Sequence, residues 1–137
     1  MKISVEMRDQ LIEQACKIRH MAYAPYSMYK VGAALLTESG KIYEGVNIEN
    51  AAYPTGMCAE RVAIFKAISE GERKFLAIAV VTENGGSPCG SCRQVISEFG
   101  LETMVYIATS NGKLLAEATI AQMLPVAFRP EDLIIGS

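Results

Sequence analysis

Residues 75–82, Phe-Leu-Ala-Ile-Ala-Val-Val-Thr, form a near-continuous apolar run that constrains the fold more than any other segment. The run is far shorter than the roughly 20 residues a helix needs to cross a bilayer. It suits a central strand covered on both faces, and such strands belong to sheets with helices on either side. The flanking segments read accordingly. From Ser4, an N-cap with Glu6 in the following turn, the apolar residues Met7, Leu11, Ala15, Ile18 and Ala22 recur at helical spacing until Pro25, which predicts a first helix. Residues 31–36 and 42–46 predict an antiparallel hairpin with Gly40 in its turn, and 47–57 a polar loop containing Pro54 and Gly56.

Cys58 opens a second helical segment in which Cys58, Val62, Phe65 and Ser69 share one face, Ala59, Ala63 and Ala67 lie beside them, and Gly71 stands at the C-terminal cap. Pro88 precedes a third, over 89–99, with Cys92, Val95, Ile96 and Phe99 at helical spacing before Gly100. Residues 103–109 predict a strand and 110–113 a turn. Residues 120–124 predict a short helix capped by Thr119 and stopped by Pro125, and propensity assigns nothing to the tail from Val126. The sum is an α/β fold, a sheet of about five strands between helices. With 137 residues and no repeat or linker, one domain over 1–137 is expected.

The charge balance excludes several functions. Lys+Arg against Asp+Glu is 13 to 15, so the chain has no basic excess for neutralising the phosphates of a nucleic acid polymer, and its 50% apolar content argues against disorder. The first residues, Met-Lys-Ile-Ser-Val-Glu, reach an acid before an apolar export core could form, which predicts no membrane or secretory segment and a cytoplasmic protein. In a reducing compartment Cys16, Cys58, Cys89 and Cys92 are left for metal binding, reactivity or burial.

The chemistry concentrates at two helix starts, Cys58-Ala59-Glu60 and Pro88-Cys89-Gly90-Ser91-Cys92. Cys89 and Cys92 project to one side of a first helical turn, and Cys58 would complete three thiolate ligands for zinc with the fourth position open, the mark of a catalytic site. Helix N-termini lower the cost of deprotonating these thiols. Three thiolates make zinc a weak Lewis acid unless positive groups withdraw charge, so Arg61 and Arg93, each directly after a motif, are expected to donate hydrogen bonds to ligand sulfurs. For each arginine alone, surface solubility is the competing reading. Glu60, two residues past a ligand, reaches the metal's open side, where a general acid/base belongs. A structural zinc site would need a fourth ligand from Cys16 or His20, and neither lies near a motif.

A Cys ligand, a non-ligating Glu two residues on and a later Pro-Cys-x-x-Cys form the signature of zinc-dependent nucleobase deaminases. Beyond the motifs, the chain resembles the small cytidine deaminases. Tyr26-Ser27, residues 31–35 and 47–53, Cys58-Ala59-Glu60-Arg61, residues 88–94 and Leu124-Pro125-Val126-Ala127-Phe128 stand in that family's order and spacing, from the first helix to about Leu133. The resemblance implies a three-layer α/β/α sandwich, one zinc per subunit on three cysteines, and a homotetramer. It further implies that Asn47 and Glu49 bind the ribose hydroxyls, that Tyr29 lies beside the pyrimidine, that backbone groups of Ala59 and Cys89 hold the base edge, and that Phe128 is offered to the base by a neighbouring subunit. Tyr29 stands where many relatives carry Phe, so its hydroxyl needs a partner. Gly56 stands in a segment that often has Thr. The expected reaction is hydrolytic deamination of cytidine and 2′-deoxycytidine in pyrimidine salvage. The alternatives are deamination of another cytosine compound such as blasticidin S and, from a different class, a non-enzymatic zinc-stabilised binding module.

Overall fold

Ser4 caps the first helix as its side chain allows, its Oγ accepting the Met7 N–H at 3.1 Å, and α1 runs Val5–Ile18. The computed structural model describes residues 2–133; Met1 and residues 134–137, included in the expected domain 1–137, lie outside the described residues. The helix stops short of Ala22 because the chain beyond Ile18 is drawn elsewhere. Arg19 Nε donates to the Lys30 carbonyl at 2.9 Å within a 3-10 turn, Arg19–Met21. Tyr23 then pairs with the polar loop, its N–H donating to Asn47 O at 3.0 Å and its carbonyl accepting from Glu49 N–H at 2.8 Å.

Strands β1 (Gly32–Thr37) and β2 (Ile42–Val46) form the expected hairpin, with Gly40 at φ +90° in the turn. Helix α2 (Ala59–Ser69), strand β3 (Phe75–Thr82), helix α3 (Gly90–Glu98) and strand β4 (Met104–Thr109) follow. Beyond them come β5 (Leu114–Thr119) and two short helices, α4 (Ile120–Met123) and α5 (Pro130–Leu133). The sheet has five strands in the order β2-β1-β3-β4-β5, with β3 and β4 parallel and every other pair antiparallel. The apolar run 75–82 is the middle strand.

Each face of the sheet has its own side-chain set. Ala34, Leu36, Ala77, Ala79, Val81, Tyr106 and Ala108 meet Leu11, Ile12 and Ala15 of α1. Leu35, Ile78, Val80, Val105 and Ile107 meet Ala59, Ala63, Ile64 and Ala67 of α2 and Ile96 of α3. Period-two alternation along β1, β3 and β4 sorts these sets, giving helix, sheet and helix in three layers. The buried residues of α2 are Ala59, Glu60, Ala63, Ile64 and Ala67, whereas Phe65 is exposed. The small side chains let α2 lie close on the hairpin. A Cβ on Gly45 would collide with the Ala59 carbonyl oxygen and sit 2.6 Å from Ala63 N.

Strand direction gathers the site. With β2, β3 and β4 running one way and β1 the other, the register places Gly32 beside Val46 and Val81, and Val81 beside Ala108. The end of β2, the start of β1 and the end of β3 therefore share one edge of the sheet. Ligand crevices in open α/β sheets form outside the carboxyl ends of parallel strands.

Candidate active site

At that edge a cleft of about 640 Å³ opens between the segment before β1, the loop after β2 and the loop joining β3 to α3. Its volume is within the range of small-molecule sites. Cys58 is the N-cap of α2 and Cys89 the N-cap of α3, and neither side chain caps its helix, so both sulfurs are free to turn toward each other. Cys92, in the first turn of α3, is fully buried beneath them.

The three sulfurs lie within 4.8 Å of one another, with Cys58 Sγ and Cys89 Sγ 3.9 Å apart. A tetrahedral zinc ion bound at about 2.3 Å to each sulfur spaces them about 3.8 Å apart. The donor set therefore fits zinc. Among the described residues no fourth His, Cys, Asp or Glu joins the cluster. Cys16 instead lies 3.9 Å from the carbonyls of Thr109 and Ser110, its pKa raised by burial. A closed structural site would need the missing fourth ligand.

Charge around the sulfurs points the same way. Arg61 Nη2 donates to Cys58 Sγ at 3.3 Å, and the buried Arg61 Nε has no hydrogen-bond partner among the described residues. A half-buried guanidinium with an unpartnered Nε favours negative charge beside it, which a zinc–thiolate group provides. The hydrogen bond from Cys92 and that from Arg61 lower the Cys58 pKa, which favours its thiolate. The same bond to Cys58, and burial, push Cys92 up. Glu60 is 4% exposed and borders the cleft, and burial pushes its carboxyl above the usual range.

Arg93 corrects an expectation. Its guanidinium touches no sulfur: Nε donates to Pro88 O at 2.9 Å, Nη1 to Met123 O at 2.8 Å and Nη2 to Ser87 Oγ at 3.1 Å. Once α3 begins at Gly90, Arg93 points back along the loop before Cys89, holding the Pro88 carbonyl and the Ser87 hydroxyl and tying them to the Met123 carbonyl at the end of α4. It is a brace of the cysteine loop.

Asn47, Glu49, Tyr29 and Ala59 all line the cleft. Asn47 Oδ1 accepts from Val31 N–H and its Nδ2 donates to Tyr29 O, each at 2.8 Å. Glu49 Oε1 accepts from the N–H groups of Tyr26 and Ser27 at 2.9 and 3.1 Å, and Oε2 accepts a short bond from Ser27 Oγ. Those Ser27 bonds lower the Glu49 pKa. The Tyr29 hydroxyl finds its partner in Asn84 Oδ1 at 2.8 Å. Gly56 has an ordinary extended backbone and lines the cleft beside Met57, which pairs with Ile48. Phe128 is 55% exposed and is not part of this chain's own cleft; its carbonyl accepts from Gln94 Nε2 at 2.8 Å.

Sequence reasoning passed over Thr82 and Tyr53 in the cleft wall. Thr82 carried a readable signal, a hydroxyl closing an otherwise apolar strand that points toward two helix N-termini. Tyr53, in a short 3-10 turn, carried none.

The family model for the cytidine and deoxycytidylate deaminase zinc-binding region matches residues 5–108. A cytidine deaminase of Sporosarcina psychrophila is 53% identical over 128 residues, covering 91% of this chain and 93% of the relative. A blasticidin-S deaminase of Bacillus cereus is 33% identical over 129 residues, covering 87% of this chain and 90% of the relative. The crystal structure of a cytidine deaminase from Burkholderia pseudomallei superposes with a TM-score of 0.83 at 44% identity, over 92% of this chain and 100% of that one. Three converging cysteines beside a buried glutamate, on a matching fold and sequence, have one common explanation: this chain belongs to the cytidine and deoxycytidylate deaminase family.

Proposed function

We propose that the protein is a zinc-dependent cytidine deaminase acting on the free nucleosides cytidine and 2′-deoxycytidine, exchanging the C4 amino group for oxygen with release of ammonia. The observation that carries this reading is the meeting of three thiols and the buried Glu60 at a cleft lined by no Lys or Arg among the described residues. A 5′-phosphate entering on the ribose side of that cleft would lie near the carboxylate of Glu49 without a compensating cation in the lining, which favours nucleosides over nucleotides.

Cys58, Cys89 and Cys92 hold one zinc ion per subunit, which when bound supplies the Lewis acidity that makes water nucleophilic near neutral pH. Glu60 takes one proton from the attacking water and passes it to pyrimidine N3, then takes the second from the new C4 hydroxyl and passes it to the amine nitrogen as the C4–N bond breaks, so that ammonia leaves and C4 keeps a carbonyl oxygen. Arg61 offsets the negative charge of the sulfurs. The Ala59 N–H, among the first of α2 and without an intrahelical partner, holds the base edge together with backbone of Cys89. Asn47 and Glu49 each keep hydrogen-bonding capacity beyond the bonds they make to the chain, and receive the ribose hydroxyls. Tyr29 lies along the pyrimidine, and Phe128, exposed and outside its own cleft, reaches the base in a neighbouring copy of a homotetramer.

The whole chain, 1–137, is one catalytic domain in this account. Free catalytic thiols persist in a reducing compartment, which supports a cytoplasmic role in nucleoside salvage. Among the described residues no helix is long and apolar enough to cross a membrane. A substrate panel tests the reading: ammonia release from cytidine, 2′-deoxycytidine, their 5′-monophosphates and blasticidin S at equal zinc loading. Both nucleosides should turn over at least about a hundredfold faster, by kcat/KM, than either nucleotide or blasticidin S. A preference for blasticidin S would move the protein to the relative with that name, and a preference for the monophosphates would overturn the argument from the cation-free cleft.

A further inference from the structure

Two walls face each other across the cleft. One carries Asn47, Glu49 and Tyr29; the other is the β3–α3 loop, which runs through Gly86 and Ser87 to Cys89. A continuous chain of hydrogen bonds joins them. Ser27 Oγ bonds Glu49, and the Tyr29 N–H donates to Ser27 Oγ at 3.0 Å. The Tyr29 hydroxyl donates to Asn84 Oδ1 at 2.8 Å, which also accepts from Thr82 Oγ1 at 3.4 Å. Thr82 Oγ1 in turn accepts the Gly86 N–H at 2.7 Å. In this chain of contacts Tyr29–Asn84 is the link that crosses between the walls.

Gly86 supplies a second, independent observation. A Cβ there would lie 2.5 Å from the Tyr29 hydroxyl oxygen, although the glycine's φ is not in the left-handed region. The bare backbone at Gly86 makes room for that hydroxyl. Asn84 does not line the cleft, so it can act on a bound molecule only through Tyr29 and the loop.

We infer that Tyr29 and Asn84 form a latch that fixes the separation of the two cleft walls, making Asn84 a positioning residue for substrate binding. A nucleoside must touch both walls at once, its sugar and one face of its base at the first and its base edge at the second. A wall free to shift costs binding energy to reorder. The inference rests on the nucleoside reading for its kinetic consequence but not for the mechanical link itself.

The test compares Tyr29→Phe, Asn84→Ala and the double variant in the zinc-loaded protein, by KM and kcat for cytidine and by hydrogen exchange of the Gly86 amide. Loss of one neutral hydrogen bond predicts a KM rise of about three- to tenfold for each single variant. Asn84→Ala should change kcat by less than about twofold, and the double variant should be no worse than the more affected single, because both remove one link. Exchange at Gly86 should quicken in all three. A double-variant KM equal to the product of the single effects, an unmoved KM, or unchanged exchange at Gly86 would each overturn the latch. If the parent protein turns over no cytidine, the proposed function fails, and exchange alone then decides the latch.

Discussion

Arg61 and Arg93 stand at the same place relative to their motifs, yet only Arg61 touches a sulfur. The difference comes from the turns before them, which a residue pattern does not encode. Arg61→Gln should weaken zinc retention about ten- to a hundredfold, as loss of a hydrogen bond to a ligand does. Arg93→Gln should leave zinc affinity within about twofold and cost about 1–3 kcal/mol of stability by leaving the Pro88 and Met123 carbonyls unpaired. Competition with a chelator and thermal unfolding separate the two outcomes. Glu49 makes a pH prediction. Its bonds from Ser27 lower the folded-state pKa below the ordinary carboxylate value of 4.5, so the folded state binds this proton less readily than the unfolded chain. The stabilisation is therefore present above about pH 4.5 and is lost as pH falls through the lowered pKa. The difference in unfolding temperature between the parent and Glu49→Gln should shrink on acidification from pH 6 to pH 3; a constant difference would contradict the assignment.

At the scale of elements, α2 delivers Cys58, Ala59 and Glu60 to the cleft, and it sits where it does because Gly45 lets its backbone approach β2. Gly45→Val should lower stability by about 1–3 kcal/mol, the usual cost of overpacking, and weaken zinc binding by displacing the helix start. An unaltered zinc affinity at reduced stability would mean that α2 shifts without carrying its N-terminus. Much of this layer was legible. The run 75–82, the hairpin with Gly40, and both cysteine-bearing helix starts follow from periodicity, turn residues and caps, and Thr119 with Gln122 forms the capping box that starts α4. What was not legible depended on tertiary contacts. Strand β5, Leu114–Thr119, is an edge strand, largely exposed, with two Ala and one Glu among its six residues, so it carries neither clean alternation nor strong β propensity. The last turn of α1 was lost to pairing between Tyr23 and the loop after β2. The buried face of α2 is its alanine face because close packing on Gly45 outweighs the larger apolar area of Phe65.

For the whole molecule, the mixed sheet brings segments distant in sequence to one edge, so Asn47, Cys58 and Cys89 line one cleft. The three cysteines and Glu60 could be chosen from the sequence because their spacing carries metal chemistry. Asn47, Glu49, Tyr29 and Phe128 could be chosen only through resemblance, since an Asn, a Glu or an aromatic residue in a loop has no distinctive spacing. Phe128 is exposed and does not line its own chain's cleft, so the role proposed for it would require another copy of the chain. Sedimentation should find a homotetramer, and Phe128→Ala should raise KM for cytidine about two- to tenfold without changing assembly or zinc content, the range expected for loss of an aromatic contact. A stable, fully active monomer would contradict the shared site. In the proposed reaction Glu60 moves protons at a metal held by three cysteines. This role is tested most directly by ammonia release from cytidine, comparing the parent with Glu60→Ala at equal, measured zinc content. Turnover should fall at least about a hundredfold in the variant with zinc fully retained; equal turnover in the two proteins would contradict this role of Glu60.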